Sequence, residues 1–165
     1  MKLVLIRHAE AKALGEDGIA DDFDRPLTEF GRAQAEAMAK ALVGLGLCAD
    51  AVWTSPYVRA VETATIVAAA LTPGRPTISS DFLRLEEMRP RKLTAALPSG
   101  KVVVLVGHMP DLAQYAGWLL GCSKDAVDFG KGAAALLAFG KTAGKGQGEL
   151  RWLVTSEWLG VEQAK

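Results

Sequence analysis

Only two cysteines occur in the 165 residues. Cys48 and Cys122 stand far apart and form no CxxC pair, which excludes the thiolate sets of zinc and iron–sulfur centres. Two free, mostly buried thiols are expected, as in chains of a reducing compartment. An excess of charge of either sign is also missing: 19 basic residues face 19 acidic ones. The chain therefore lacks the broad positive field that coats nucleic acid or an anionic membrane, and neither is expected as a partner. No apolar run approaches the roughly 20 residues of a membrane span. Met1-Lys2 leads straight into the first apolar run with no signal-peptide pattern, so a cytoplasmic protein is expected. What is abundant is apolar residues, 50% of the chain. That is enough for a substantial core, and the length suits one domain over residues 1–165.

Strand and helix patterns alternate. Leu3 to Ile6 reads as a strand buried on both faces. A polar connection follows, with Gly15, Gly18 and a run of acids up to Asp24, short enough to be a mobile flap. "LTEFGRAQAEAMAKALVGLG" reads as a helix capped by Thr28 and ended by Gly44 and Gly46. "DAVWTSP" is a short strand stopped by Pro56, and "YVRAVETATIVAAAL" a second helix. A short strand is expected between Thr77 and Phe82, then the loop "LRLEEMRP" and a modest helix near Arg91 to Leu97. "KVVVLVG" is the clearest buried strand, followed by a helix with Pro110 in its first turn that runs to about Leu120. "AAALLAF" and "ELRWLV" read as a hairpin across the glycine-rich "GKTAGKGQG". That stretch has the composition of a phosphate loop but neither its spacing nor a following helix. Trp53, Trp118, Trp152 and Trp158 are expected on the core or its edge. The alternation predicts an α/β fold: a three-layer α/β/α sandwich on a mostly parallel mixed sheet.

In an open sheet of this kind, ligands bind beyond the carboxyl ends of the strands. The first strand ends in Arg7-His8, the second in Ser55-Pro56 with Arg59 a turn further on, and the clear central strand in Gly107-His108. Both histidines and two arginines therefore face one rim. Arginine forks match the oxygens of a phosphoryl group, and a helix start adds backbone donors. A neutral imidazole nitrogen can attack phosphorus and become phosphorylated. A second histidine can donate to the oxygens as charge shifts, and positioning with charge neutralisation suffices without a metal. No metal or other cofactor is expected.

"LIRHAEA", "RPLTEFGRAQA", "SPYVRAVETA" and "VGHMPDL" together resemble the histidine phosphatase superfamily, whose fold is phosphoglycerate mutase-like. Within it the short "RPLT", "SP–RA–ET" and "GH–P–L" blocks are most similar to the SixA-type phosphohistidine phosphatases. The resemblance implies that His8 is the nucleophile and that Arg7, Arg59 and His108 hold the phosphoryl group. Arg25, in the "RPLT" block, would be an outer phosphate or substrate contact. The family's usual glycine after Arg-His is Ala9 here.

Larger relatives place an acid after the third strand. Glu87 is the best match, with Glu86 and Asp111 as alternatives, and the SixA branch often has no clear acid. A phosphorylated imidazole leaves as a ring already protonated elsewhere, whereas an alkoxide needs a proton, help worth about 10²–10⁴-fold. The expected function is thus a metal-independent phosphatase acting through phospho-His8 on phosphohistidine in a protein, such as a histidine phosphotransfer domain. A phosphatase for small phosphomonoesters is the alternative, and a phospho-binding module without turnover a third reading.

Overall fold

The computed structural model describes residues 1–161. Six strands form one sheet: β1 (Lys2–Arg7), β2 (Ala51–Thr54), β3 (Ile78–Ser79), β4 (Val102–Gly107), β5 (Ala134–Ala138) and β6 (Glu149–Val154), in the order β3-β2-β4-β1-β5-β6. β1, β2, β3 and β4 run parallel, while β5 pairs antiparallel with β1 and β6 with β5. The terminal hairpin therefore makes one edge of the sheet mixed, as its glycine-rich connection predicts. Strand β3 is shorter than the expected Thr77–Phe82. Ile78 lies exposed on the sheet edge, and residues Asp81–Leu83 coil into a single 3₁₀ turn that buries Leu83 instead.

The period of two in β1 and β4 divides their side chains between two cores. Leu3, Leu5, Val103 and Leu105 face one side, covered by Leu93 of α3 (Pro90–Ala96) and Leu112, Tyr115 and Leu119 of α4 (Asp111–Leu120). Val4, Ile6, Val104 and Val106 face the other, covered by Met38 and Leu42 of α1 (Glu29–Gly44) and Ala64 and Val67 of α2 (Val58–Leu71). The residues from Leu3 to Ile6 and from Val103 to Val106 are fully buried, each aliphatic contributing about 1.5–3 kcal/mol. The result is a three-layer α/β/α sandwich whose central strands stop at one rim.

Local signals set the ends of α1. Thr28 Oγ1 accepts from the Gly31 backbone N–H at 2.9 Å, and the helix closes at Gly44, with Gly46 at φ +71°. Gly31 has a second reason to be glycine: a Cβ there would lie 2.0 Å from the Glu10 carbonyl oxygen. This close approach seats α1 against the chain leaving β1. Two expectations fail at the surface. Cys48 and Cys122 are free but exposed, because both lie in connections beyond a helix end and not on its packed face. Trp158 is 85% exposed and covers no core, whereas Trp53, Trp118 and Trp152 do pack on the two cores. Among the described residues, no helix is long and apolar enough to cross a membrane.

Candidate active site

Three neighbouring strand ends assemble the rim. Arg7 pairs with Gly107 in register, the His8 N–H donates to the Gly107 carbonyl at 3.0 Å, and the Ser55 N–H donates to the Val106 carbonyl at 3.0 Å. His8, Ser55 and His108 are thus fixed side by side by continuation of the sheet ladder. The histidine ring centroids are 5.1 Å apart. Arg59, on the first turn of α2 and only 3% exposed, sends its Nε to His8 Nε2 at 3.2 Å. The structure brings together Arg7, His8, Arg59 and His108, which are far apart in sequence.

Hydrogen-bond polarity defines the His8 tautomer. Nδ1 lies 2.7 Å from the Ala9 carbonyl oxygen, which can only accept, and Nε2 faces a guanidinium, which can only donate. The proton therefore sits on Nδ1, and Nε2 presents its lone pair to Arg59. Burial pushes the His8 pKa down to about 3, the Ala9 bond opposing and the charges of Arg59, Arg7 and Arg25 adding to the fall. His108 is 1% exposed and is likewise pushed to about 3, by burial first, then by the neighbouring His8 ring, which disfavours a second cation, and by Arg59 and Arg7, with Asp22 opposing. Both rings are neutral at pH 7.

Two buried nitrogens in the cluster, Arg7 Nε and His108 Nδ1, have no hydrogen-bond partner among the described residues. An orphaned buried polar group costs about 1–3 kcal/mol. Arg7 is otherwise anchored, its Nη1 donating to the Phe129 carbonyl at 2.7 Å, and burial lowers its pKa against the opposing charge of Asp128. Ala9 is fully buried against Leu27 and Ala35, and its N–H donates to Thr63 Oγ1 at 3.1 Å. Its methyl faces packing and not the pocket.

The loop after β1 closes over the arginines. Arg59 Nη2 donates to Asp22 Oδ2 at 2.9 Å and Nη1 to the Asp22 carbonyl oxygen at 2.5 Å. Arg25 Nη1 donates to Asp22 Oδ1 at 2.7 Å and Nε to the Lys12 carbonyl oxygen at 2.5 Å. Burial works against ionisation of Asp22, but the bonds from Arg25 and Arg59 outweigh it and hold the carboxyl below its usual range. Phe23, next in the loop, packs on Tyr57 with centroids 5.0 Å apart, and Tyr57 packs edge-on to His108 at 4.9 Å. The segment forms two 3₁₀ turns, Glu16–Gly18 and Asp22–Asp24, and Lys12 pairs with Asp17.

Sequence reasoning did not find Asp22, Phe23 or Tyr57. A "DDFDRP" run carries a weak signal, since acids crowd many solvated loops; the nearby "RPLT" block was the clue that this one serves the site. Arg59 could have paired with Glu62 within its helix. Instead Glu62 accepts from Arg32 at 2.8 Å and from the Leu27 N–H at 2.7 Å.

The candidate acids lie apart from this hydrogen-bonded cluster. The Glu87 side chain is 60% exposed and 3.4 Å from Arg84 Nε. Asp111 is buried at the start of α4 and accepts from the Glu86 N–H at 2.7 Å, fastening the 84–89 loop. Burial and the Glu86 charge raise its pKa, against that hydrogen bond and Arg89. Glu86 is exposed at φ +63°.

The fold and its strand-end rim define a phosphoglycerate mutase-like protein. A family model described as histidine phosphatase superfamily (branch 1) matches residues 3–93, and the chain belongs to that family. An uncharacterised protein of Picosynechococcus sp. is 35% identical over 126 residues, 70% of this chain and 71% of that one. The mitochondrial serine/threonine-protein phosphatase PGAM5 of Xenopus tropicalis is 40% identical over 82 residues, but these are 50% of this chain and only 28% of the frog protein. In fold, the chain is similar to the protein histidine phosphatase SixA complexed with tungstate: TM-score 0.80, 23% identity, 94% of this chain and 97% of that one.

Proposed function

We propose that the protein is a metal-independent phosphatase that passes the phosphoryl group through His8 and acts on phosphohistidine in a protein, such as a histidine phosphotransfer domain. The observation that carries this reading is the His8 tautomer: a lone pair on Nε2 facing Arg59, with the proton held on Nδ1 by the Ala9 carbonyl. A binding module has no use for that lone pair.

In the first half-reaction Nε2 attacks phosphorus and the bond from phosphorus to the leaving atom breaks. Arg59 turns its Nε–H from Nε2 to a phosphoryl oxygen, and Arg7 Nε and His108 Nδ1 donate to the others, each gaining the partner it lacks. The His8 ring becomes a cation, and its Nδ1–H bond to Ala9 stabilises the new charge. In the second half-reaction water attacks phosphorus, the lone pair returns to Nε2, and the proton of the water leaves with phosphate or solvent.

The leaving group favours this substrate class. Asp22 is held ionised by two arginines and cannot donate a proton, and Glu87 stands in solvent beside Arg84. A phosphohistidine carries its own proton on the second ring nitrogen and departs as neutral imidazole, so no acid is needed. The SixA structure of the same fold holds tungstate, a tetrahedral oxyanion suited to such a pocket.

The test is labelling with a ³²P-phosphohistidine protein and an alkaline denaturing quench, since a phosphoramidate hydrolyses in acid. Label on the native chain and none on His8→Ala is the expected result. Label that persists in His8→Ala would overturn the mechanism. Faster turnover of sugar or nucleotide phosphates, lost in Glu87→Gln, would instead favour a small phosphomonoester as substrate.

A further inference from the structure

We infer that Ser55 is a positioning residue that sets the tautomer of His108 and so turns its Nδ1–H towards the phosphoryl oxygens. Ser55 is fully buried at the end of β2, and its Oγ lies 2.7 Å from His108 Nε2. The same Oγ accepts from the Tyr57 N–H at 3.4 Å, which uses one lone pair and leaves the hydroxyl proton to be placed. His108 Nε2 is the one acceptor within its reach among the described residues. If the hydroxyl donates, Nε2 is the acceptor and the neutral ring must carry its proton on Nδ1.

The opposite arrangement fails twice. If Nε2–H donated to Ser55, the hydroxyl proton would be buried without an acceptor, a cost of about 1–3 kcal/mol. Nδ1 would then present a buried lone pair, unpaired among the described residues and repelling any phosphoryl oxygen. The donating hydroxyl satisfies Ser55 and leaves one orphan, a donor, at the site where an oxyanion needs it.

The pair is also held rigidly. Ser55 N–H is tied to Val106 and His108 follows β4 directly, so hydroxyl and ring are set by the same sheet ladder. Tyr57 packs on the ring from the side. Two histidines thus receive matched tautomers from opposite kinds of neighbour. A carbonyl that only accepts frees Nε2 of His8 for attack, and a hydroxyl with a proton to give frees Nδ1–H of His108 for donation.

The inference rests on the phosphatase reading for its catalytic consequence, but its test does not need turnover. Histidine-labelled protein is examined by ¹⁵N NMR at pH 7, with His8→Gln identifying which ring is which. The native chain is expected to show His108 protonated on Nδ1, and Ser55→Ala to move the proton wholly or partly to Nε2. With para-nitrophenyl phosphate, Ser55→Ala is expected to lower kcat about tenfold, equivalent to about 1.4 kcal/mol, with KM changed less than about twofold. A native His108 protonated on Nε2, or a tautomer unmoved in Ser55→Ala, would overturn the inference. A native chain that turns over no phosphoryl substrate, yet shows the expected tautomers, would overturn the function and leave the role of Ser55 standing.

Discussion

Arg59 meets three partners at once. Its Nε reaches Nε2 of His8, and its two terminal nitrogens grip the side chain and the backbone of Asp22. Only a planar fork with donors in two directions can do this. Lysine keeps the charge but offers one ammonium point, so Arg59→Lys keeps either the His8 contact or the Asp22 contact. Each charge-assisted hydrogen bond is worth about 1.5–3 kcal/mol. Losing one that tightens in the transition state should reduce kcat/KM about 100-fold, as about 2.7 kcal/mol requires. Steady-state kinetics on the folded variant provide the check, and a loss under about threefold would contradict this account of the residue. The position of Arg59 at the rim was legible from its distance past Ser55-Pro56. Its ion partner was not, because a neighbour one helical turn away, Glu62, satisfied the local rule equally well.

At the scale of elements, the loop between β1 and α1 behaves as a second wall of the site. Asp22 sets a carboxylate between Arg25 and Arg59, the donors that a phosphoryl group would use under the proposed function. A dianion must displace that carboxylate or bind beside it, and either costs free energy. Asp22→Asn keeps the shape and removes the charge. Its inhibition constant for inorganic phosphate should fall about three- to tenfold, and a weaker affinity for phosphate would show instead that Asp22 serves to orient Arg59. Long, strongly periodic elements such as β4 and α1 were readable because burial on a sheet and a capping Thr28 leave a local imprint. The loop was not, since its order arises from the bonds of Arg25 and Arg59, two residues outside the acidic run. The same limit explains β3: two residues of edge strand leave too little alternation to mark an end. The exposed cysteines and Trp158 failed for a related reason, as composition ranks residue types by average burial and connections escape the average.

For the molecule as a whole, the site sets a conflict between function and stability. Two imidazoles are buried next to arginines and kept neutral, with their pKa values lowered from 6.5 to about 3. In the unfolded chain both return to about 6.5, so between these values the unfolded state binds more protons than the folded one. Stability therefore rises with pH across this window: it is fully present above pH 6.5 and is lost as the pH falls towards 3. Each histidine contributes a slope of up to about 1.4 kcal/mol per pH unit, and two give up to about 2.7. Asp22, and Asp50, whose carboxylate accepts from the Val102 and Lys101 N–H groups, are both held below 3.8 and add to the acid loss at the lower end, while Asp111, raised above 3.8 by burial, opposes it. Guanidinium unfolding at pH 7, 5.5 and 4.5 should show a steep fall for the native chain and about half that slope for His8→Gln, which removes one of the two protons. Equal slopes in the two proteins would mean that His8 is not the neutral, buried base that the hydrogen bonds around it require.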